Sequence, residues 1–247
     1  MAGRSRLDIL LVQRGLAESR EKAQAIIMAG SVVVSERPAV KPGTLVALDA
    51  DIRVLVGPQY VSRGGEKLTH ALDAFDLDVR GLTVVDAGAS TGGFTDCLLQ
   101  RGAARVYAID VGRGQLDWRL RQDPRVVVME GVNVRYLKSL PEKGELATID
   151  VSFISLEKVI PPIAGLLRGG ARIVALVKPQ FQARREEVRK GGVVRDPQVH
   201  AAVLGRLIAW CVGRRLRLLG LTTSPLLGPA GNKEFFLLLD IPAEALS

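Results

Sequence analysis

The pattern of apolar and polar positions changes near residue 65. Beyond it, short apolar runs rich in Val, Ile and Leu alternate with stretches of helical spacing. The predicted strands are Leu82–Asp86, Arg105–Asp110, Val126–Glu130, Leu146–Asp150 and Ala171–Lys178. Such alternation is typical of βαβ units, so it predicts a doubly wound, mostly parallel α/β sheet. Two later runs, Leu216–Leu221 and Glu234–Leu239, are expected to close the sheet with an antiparallel edge.

Helices are predicted between these strands. They cover Phe94–Arg101, Gln115–Gln122 and a segment near Leu156–Leu167 that a pair of prolines interrupts. A further helix begins at Asp196, because proline at position 197 suits the first helical position. The stretch Gly57–Gly65 is interpreted as a connector, which predicts two domains, residues 1–58 and 59–247.

The first domain has a different pattern. Leu7, Leu10 and Leu11 have helical spacing, and Gly15 stands where that helix would stop. Ser19 is suited to cap a second helix. The β-branched run Ser31–Val34 then predicts a strand that enters a turn at residues 35–38. We therefore expect a small α+β domain before the larger sheet.

Composition adds a charge argument. Lys and Arg number 34 against 26 Asp and Glu, so the formal net charge is +8. This excess favours a polyanionic partner, with nucleic acid the first candidate and an anionic membrane the second. No apolar run approaches the ~20 residues of a membrane span, and the N-terminus lacks a signal-peptide core. A cytoplasmic protein is expected.

Cysteine and histidine are too few, and too far apart in the sequence, for a zinc site or a disulfide framework. Cys97 and Cys211 are the two cysteines, and His70 and His200 are the two histidines. No CxxC or HxxxH spacing exists, which argues against a zinc site and against a disulfide framework. Both histidines are expected to be helix residues with local hydrogen-bond partners, and Cys97 is expected in the core.

Basic residues lie on or beside the first two predicted helices. They are Arg4, Arg6, Arg14, Arg20 and Lys22. A solvated helix surface explains such charges, and so does a surface that contacts phosphates.

A family resemblance favours the second explanation. The segment from about residue 5 to 55 resembles the S-four RNA-binding domain of a ribosomal small-subunit protein. The matching residues are Arg6-Leu7-Asp8, Arg14-Gly15-Leu16, Ser19 through Ala23, Gly30-Ser31-Val32 and Lys41-Pro42-Gly43. The resemblance implies an RNA-binding face with Arg4, Arg6, Arg20, Lys22 and Lys41. Ser35-Glu36 departs from the Asn-Gly type of turn usual in the family.

A glycine-rich loop follows the first strand of the large sheet, over residues 86–94. If Gly88 and Gly93 are compared with the outer glycines of a dinucleotide fingerprint, Ser90 replaces the middle glycine that lets a pyrophosphate approach. Asp110 lies 110 − 88 = 22 positions beyond Gly88, where a carboxylate binds ribose hydroxyls. A cationic nucleoside without phosphate, S-adenosylmethionine, fits this pattern. The predicted cofactor site is Asp86, Gly88, Ser90, Gly92, Gly93, Phe94, Asp110, Asn133 and Asp150.

Charged residues also end later strands of the predicted sheet. Asp150 and Lys178 fall at carboxyl ends, where ligands bind in open α/β sheets. A ribose hydroxyl is a weak nucleophile, so methyl transfer to it requires either a neutral lysine as base or a cation beside the forming alkoxide. Lys67, interpreted as part of the connector region, is a second cation available to this site. The strand end lacks the cysteine used for carbon-5 methylation and the paired prolines used for amine methylation.

Over nearly its whole length, the sequence resembles the TlyA family, which joins an S-four domain to a methyltransferase domain related to FtsJ. The matching segments are Tyr60 to Leu68, Asp86 to Thr95, Ala108 to Gly112, Asn133 to Tyr136, Asp150 to Leu156, Leu176 to Phe181, Lys190 to Asp196 and Gly228 to Phe235. The resemblance implies a Rossmann-like methyltransferase that methylates a cytidine 2′-hydroxyl in ribosomal RNA. It also implies a catalytic set of Lys67, Asp150, Lys178 and Glu234, with Asn232 completing the pocket.

Some alternatives stay open. Arg63 is suited either to contact RNA phosphate or to tether the two domains. Relatives of the family carry a haemolysin name, so a membrane-active protein is a rival, although no amphipathic basic helix with aromatic anchors supports it. A non-catalytic RNA-binding assembly factor is a second rival, against which the four catalytic residue types argue. Oligomeric state is not predicted.

Overall fold

The computed structural model describes residues 3–28, 30–39, 41–55, 59–188 and 191–243. The chain divides into two compact units, Met1–Gln59 and Tyr60–Ser247. The predicted domain boundary, after residue 58, borders residues 56–58, which lie outside the described residues. Lys190, part of the family pattern, also lies outside them.

In its described residues, the N-terminal unit has two helices and five short strands. These are β1 Arg4–Arg6, α1 Leu7–Gln13, α2 Arg20–Met28, β2 Val32–Val34, β3 Arg37–Pro38, β4 Leu45–Ala47 and β5 Ile52–Val54. β1 pairs with β4, and β2 lies between β3 and β5, with every ladder antiparallel. Leu7, Leu11 and Ile27 are among the fully buried side chains of its core.

Both predicted helices of this unit are confirmed, and β1 was missed. Ser19 caps α2, since its hydroxyl accepts from the Lys22 N–H at 3.2 Å. The turn after β2 places Ser35 and Glu36 at φ of +46° and +68°. Two consecutive left-handed residues are what a tight β-hairpin requires, so the hairpin forms without the usual Asn-Gly pair.

The C-terminal unit alternates strands and helices. The elements are α3 Arg63–Ala74, β6 Thr83–Ala87, α4 Gly93–Gln100, β7 Arg105–Asp110, α5 Trp118–Gln122, β8 Val126–Glu130, β9 Gly144–Ile149, α6 Ile160–Gly165, β10 Leu167–Val177, α7 Pro179–Gln182, α8 Pro197–Gly213, β11 Arg217–Thr223 and β12 Phe235–Asp240.

The strands form one sheet in the order β11-β12-β10-β9-β6-β7-β8. β6 to β10 pair in parallel, whereas β12 pairs antiparallel with both β10 and β11. Apolar side chains of α3, α4 and α5 cover one face, and those of α6 and α8 cover the other. The predicted doubly wound sheet with its antiparallel edge is confirmed.

Two helix predictions need correction. The region read as a connector already contains the start of α3, and Leu68, Ala71 and Leu72 form the buried side of that helix. In the second case, Pro161 and Pro162 do not interrupt a helix. They lie in the first turn of α6, where proline removes no intrahelical hydrogen bond.

Over the described ranges, the structure contains no helix that combines the length and apolarity needed to cross a membrane.

Candidate functional site

The loop after β6 has a shape that only small residues allow. Gly88 has φ +87°, and a Cβ atom there would come within 2.3 Å of the Asp150 carbonyl oxygen. Gly92 caps α4 at φ +98°, and its Cβ would approach Leu120 to 2.2 Å. Glycine at these two positions therefore brings the loop close to the end of β9 and to α5.

Asp110, at the end of β7, holds this loop. Its carboxylate accepts the backbone N–H of Ser90 at 2.9 Å and that of Gly112 at 2.7 Å. The Ser90 amide is thus already bonded to a carboxylate, and a phosphate at the same place would meet a negative charge. The loop consequently favours a ligand without phosphate, as its sequence predicts.

Two cavities open beside the loop and share Gly88, Ser90 and Asp150. The larger, of about 520 Å³, has an apolar wall with Ile109 and Val132 and a polar rim with Asp110 and Asn133. The smaller, of about 210 Å³, is lined by residues that include Arg63, Lys67, Phe94 and Pro229. Together they form one cleft at the carboxyl ends of the strands.

Two ion pairs lie at this cleft. Lys178 Nζ is 2.5 Å from Asp150 Oδ1 and donates to Ser152 Oγ at 3.0 Å. Lys67 Nζ is 2.6 Å from Glu234 Oε2, and both of these side chains are buried. Because Val177 pairs with Phe235 across β10 and β12, Lys178 and Glu234 occupy facing strand ends. The structure therefore brings the predicted catalytic residues to one edge of the sheet, and each lysine contacts a carboxylate.

Lys67 reaches the cleft from α3, not from a connector. Ser62 caps this helix by accepting the Gly64 N–H at 3.3 Å. At Gly93, on α4, an added Cβ would lie 2.2 Å from Ser62 Oγ and 2.9 Å from the Gly65 nitrogen. Gly93 thus permits close packing of α3, which carries Lys67, on α4, and it also lines the smaller cavity itself.

Asp86 lies beneath the loop and does not line either cavity. Its fully buried carboxylate accepts the hydroxyls of Thr95 at 2.6 Å and Thr148 at 2.9 Å. Burial raises the pKa of this carboxyl to about 6, although both threonine hydrogen bonds oppose the shift. The expectation that Asp86 meets the cofactor directly is therefore corrected: it supports the loop and the start of α4.

Two asparagines have different positions. Asn133 lines the larger cavity and accepts the Arg135 N–H at 3.1 Å, which caps a 3-10 turn. Asn232, expected in the pocket, is buried away from both cavities. Its amide accepts from the Val194 N–H at 2.9 Å and donates to the Gly192 carbonyl at 3.0 Å, so it joins two loops.

The basic residues of the N-terminal unit differ in their surroundings. Arg6 and Arg20 both contact the buried carboxylate of Asp8, and Lys22 forms an ion pair with Glu18. Arg4 and Lys41 are exposed and form no ion pair with any residue that the structure describes. In the other unit, Arg63 is exposed at the start of α3.

Sequence reasoning missed Phe153, which lines the larger cavity. It has φ +62°, is 90% exposed and packs against Phe181 with ring centroids 4.9 Å apart. A large apolar side chain held in a left-handed conformation at a cavity mouth indicates a ligand surface. The available signal was an aromatic residue just after a strand-end carboxylate in a chain with only 4% aromatics.

Comparisons with known proteins agree with this geometry. Residues 60–241 match the FtsJ-like methyltransferase family, and residues 5–52 match the S4 domain, called S-four above. The Bacillus subtilis protein YqxC is 52% identical over 98% of this chain and 87% of its own length. The 16S/23S rRNA (cytidine-2′-O)-methyltransferase TlyA of Mycobacterium tuberculosis is 49% identical over 97% of this chain and 91% of its own.

A solved structure from Streptococcus thermophilus, of a protein that carries a hemolysin name, gives a TM-score of 0.74 at 43% identity. It covers 98% of this chain and 90% of that one. The chain therefore belongs to the FtsJ-like methyltransferases, within the TlyA family that places an S4 domain before the methyltransferase unit.

Proposed function

We propose that this protein transfers a methyl group from S-adenosylmethionine to the ribose 2′-hydroxyl of a cytidine in ribosomal RNA. The observation that carries the proposal is the pairing of Lys178 with Asp150 and of Lys67 with Glu234 beside the loop that contains Gly88. The relative from Mycobacterium tuberculosis bears a name with this specificity.

The residues around the loop fit the proposed cofactor. The larger cavity has apolar walls for an adenine ring, and Asp110 stands at its rim as an acceptor for ribose hydroxyls. Asp150 borders both cavities and supplies negative charge next to the place of a sulfonium. When bound, S-adenosylmethionine supplies an electrophilic methyl group and a thioether leaving group.

Lys178 is the proposed proton acceptor. Its amine lies 2.5 Å from Asp150 and 3.0 Å from Ser152, and both of these residues line the larger cavity. The amine would accept the hydroxyl proton as the 2′-oxygen takes the methyl group and the thioether leaves, so that the new O–C bond forms while the S–C bond breaks. Asp150 would keep the amine oriented during this transfer through their 2.5 Å contact.

Lys67, Glu234 and Phe153 are proposed to place the ribose and its base. The buried Lys67–Glu234 pair projects a fixed donor into the smaller cavity, where it would orient a sugar hydroxyl. Phe153, exposed at the other cavity, offers a flat apolar face on which an unstacked base would lie. The N-terminal basic residues Arg4, Arg6, Arg20, Lys22 and Lys41 would bind phosphates of the RNA, and so would Arg63.

Mapping of the product tests the proposed function. The protein would be incubated with each ribosomal subunit and S-adenosylmethionine carrying a labelled methyl group. We expect label at a cytidine whose following phosphodiester bond resists alkali, because a 2′-O-methyl group removes the attacking hydroxyl. Label on a base, or none on RNA from either subunit, would contradict the proposal.

Two variants of Lys178 separate its possible roles. Lys178→Ala should reduce methyl transfer by at least about 100-fold, the usual contribution of a positioned proton acceptor. Lys178→Arg keeps a cation near Asp150 but stays protonated, so it should be equally inactive. Turnover and cofactor affinity would both be measured, with cofactor affinity expected to stay near wild type.

Lys158→Ala, on an exposed turn of the same unit, is the matched control and should be fully active. Substantial turnover by Lys178→Arg would show that charge alone is needed. Wild-type turnover by Lys178→Ala would exclude Lys178 from the reaction.

A further inference from the structure

A buried carboxylate lies beneath the basic surface of the N-terminal unit. Asp8 is fully buried in α1 and is not a member of the apolar core cluster of that unit. Its oxygens accept from Arg6, Arg20 and Gln24 at 2.9–3.0 Å. These contacts hold the pKa of the Asp8 carboxyl well below its usual range. Asp8 is therefore ionised whenever the unit is folded near neutral pH.

The two arginines use only part of their hydrogen-bonding capacity on Asp8. Arg6 donates from Nε and one terminal nitrogen, and Arg20 donates from Nε. Their side chains remain 42% and 51% exposed. Because both contact Asp8 Oδ2, the guanidinium groups are neighbours, and the donors not used on Asp8 are left for a ligand.

A third cation is held near this pair. The turn Lys41-Pro42-Gly43 is fixed to the start of α1, since the Asp8 N–H donates to the Pro42 carbonyl at 3.1 Å. A Cβ at Gly43 would lie 3.3 Å from a terminal nitrogen of Arg6, so this turn also limits where Arg6 can move. The local charge is two fixed guanidinium groups, one carboxylate and an exposed lysine.

We propose that Asp8 is a positioning residue that fixes Arg6 and Arg20 as a two-arginine fork for one phosphate group of the RNA. The proposal rests on the proposed function, because it takes ribosomal RNA as the substrate. A guanidinium forms paired hydrogen bonds with phosphate only when its planar face is correctly oriented, and Asp8 supplies that orientation before the RNA arrives. A surface that acted through net charge alone would need no carboxylate.

Lysine substitutions that preserve charge provide the first test. Arg6→Lys keeps the positive charge but loses the fork, and should raise the Kd for purified ribosomal RNA of each subunit about tenfold. Arg53→Lys is the matched control, because Arg53 is an exposed arginine on β5 that contacts Asp51 and not Asp8. It should change Kd less than about twofold. The salt dependence of binding should stay the same in both, since the charge is unchanged.

Asp8→Asn distinguishes an oriented arginine pair from a surface that acts through net charge, because the two predict opposite changes in RNA affinity. The substitution makes the protein more positive by one charge, so a surface governed by net charge should bind RNA more tightly. Loss of the fork should instead weaken binding and raise KM for RNA, while kcat and the KM for S-adenosylmethionine stay unchanged. Thermal unfolding of each variant identifies any loss of the folded N-terminal unit. If Asp8→Asn unfolds it, the comparison of Arg6→Lys with Arg53→Lys decides.

Tighter RNA binding by folded Asp8→Asn would overturn the proposal, and so would equal effects of Arg6→Lys and Arg53→Lys. These outcomes differ from a failure of the proposed function. In that case the wild-type protein itself would not methylate ribosomal RNA, whatever its affinity.

Discussion

At the scale of single residues, Asp86 is a buried carboxyl with a raised pKa. Its carboxylate is fully buried, and the threonines at 95 and 148 donate to it. Burial raises its pKa to about 6, with the negative charge of Asp150 adding to the shift. The folded protein therefore holds this proton over a range in which the unfolded chain has already released it.

A pH dependence of stability follows from Asp86. Between about pH 4 and 6 the folded state binds more protons at this site, so raising the pH through that range removes stability. Asp86→Asn carries no proton to lose. Its free energy of unfolding relative to wild type should therefore increase from pH 4 to pH 7, by on the order of 3 kcal/mol. Denaturant unfolding at several pH values measures the difference.

Asp78→Asn is the control for this measurement. Asp78 is exposed, and hydrogen bonds from Arg80 lower its pKa to about 2. It is ionised in both states above pH 5, so its effect should not vary from pH 5 to 7. A constant difference between Asp86→Asn and wild type over the same range would mean that Asp86 is not the titrating group.

At the scale of elements, the contact between α3 and α4 decides whether Lys67 reaches the cleft. Gly93→Ala would place a methyl group 2.2 Å from Ser62 Oγ and 2.9 Å from the Gly65 nitrogen. The helices must then separate, which should cost about 1–3 kcal/mol of stability. Methyl transfer should fall as well, because the Lys67–Glu234 pair depends on the position of α3. Thermal unfolding and turnover would be measured together.

Gly205→Ala, on the exposed side of α8, is the corresponding control. Nothing lies within 4 Å of the added Cβ, so the substitution should be neutral or stabilise the helix by up to about 1 kcal/mol. If Gly93→Ala behaves in the same way as this control, the close contact between α3 and α4 limits neither stability nor the approach of Lys67.

At the scale of the whole molecule, each unit has its own apolar core. The N-terminal core includes Leu7, Leu11 and Ile27, and the C-terminal unit has one apolar cluster on each face of its sheet. Because a core of about 60 residues supplies little net stability, the N-terminal unit should tolerate few cavities. This division allows RNA binding and cofactor binding to be disturbed separately.

Leu11→Ala tests that separation. The cavity should cost about 2–5 kcal/mol, enough to unfold most of the N-terminal unit. RNA affinity should then fall sharply while S-adenosylmethionine binds as in wild type. Calorimetry of the full chain, with cofactor titration at the same temperature, measures both effects. Loss of cofactor binding in this variant would show that the two units depend on each other for folding.

Sequence periodicity was sufficient for most of the C-terminal sheet, since β7 and β8 have the predicted limits. It failed at α3, where Gly64 and Gly65 resemble a linker. Glycine is needed at these two positions because Tyr60 and α4 approach the backbone closely. Sequence reasoning also placed Asp86 in the cleft. Every residue of β6 is buried, so the pattern of apolar and polar residues along this strand does not show whether the carboxylate reaches the cleft.

The fold class, the glycine loop and the residue types at the strand ends could be predicted from the chain alone, because they depend on local periodicity and on steric limits of single residues. The pairing of the charges could not, because it depends on how the chain folds. Lys67 and Glu234 are separated by 167 positions and Lys178 and Asp150 by 28, and their contacts depend on strand order and helix packing. A local pattern carries no information on such distances, since long-range contacts arise only when the whole sheet is assembled.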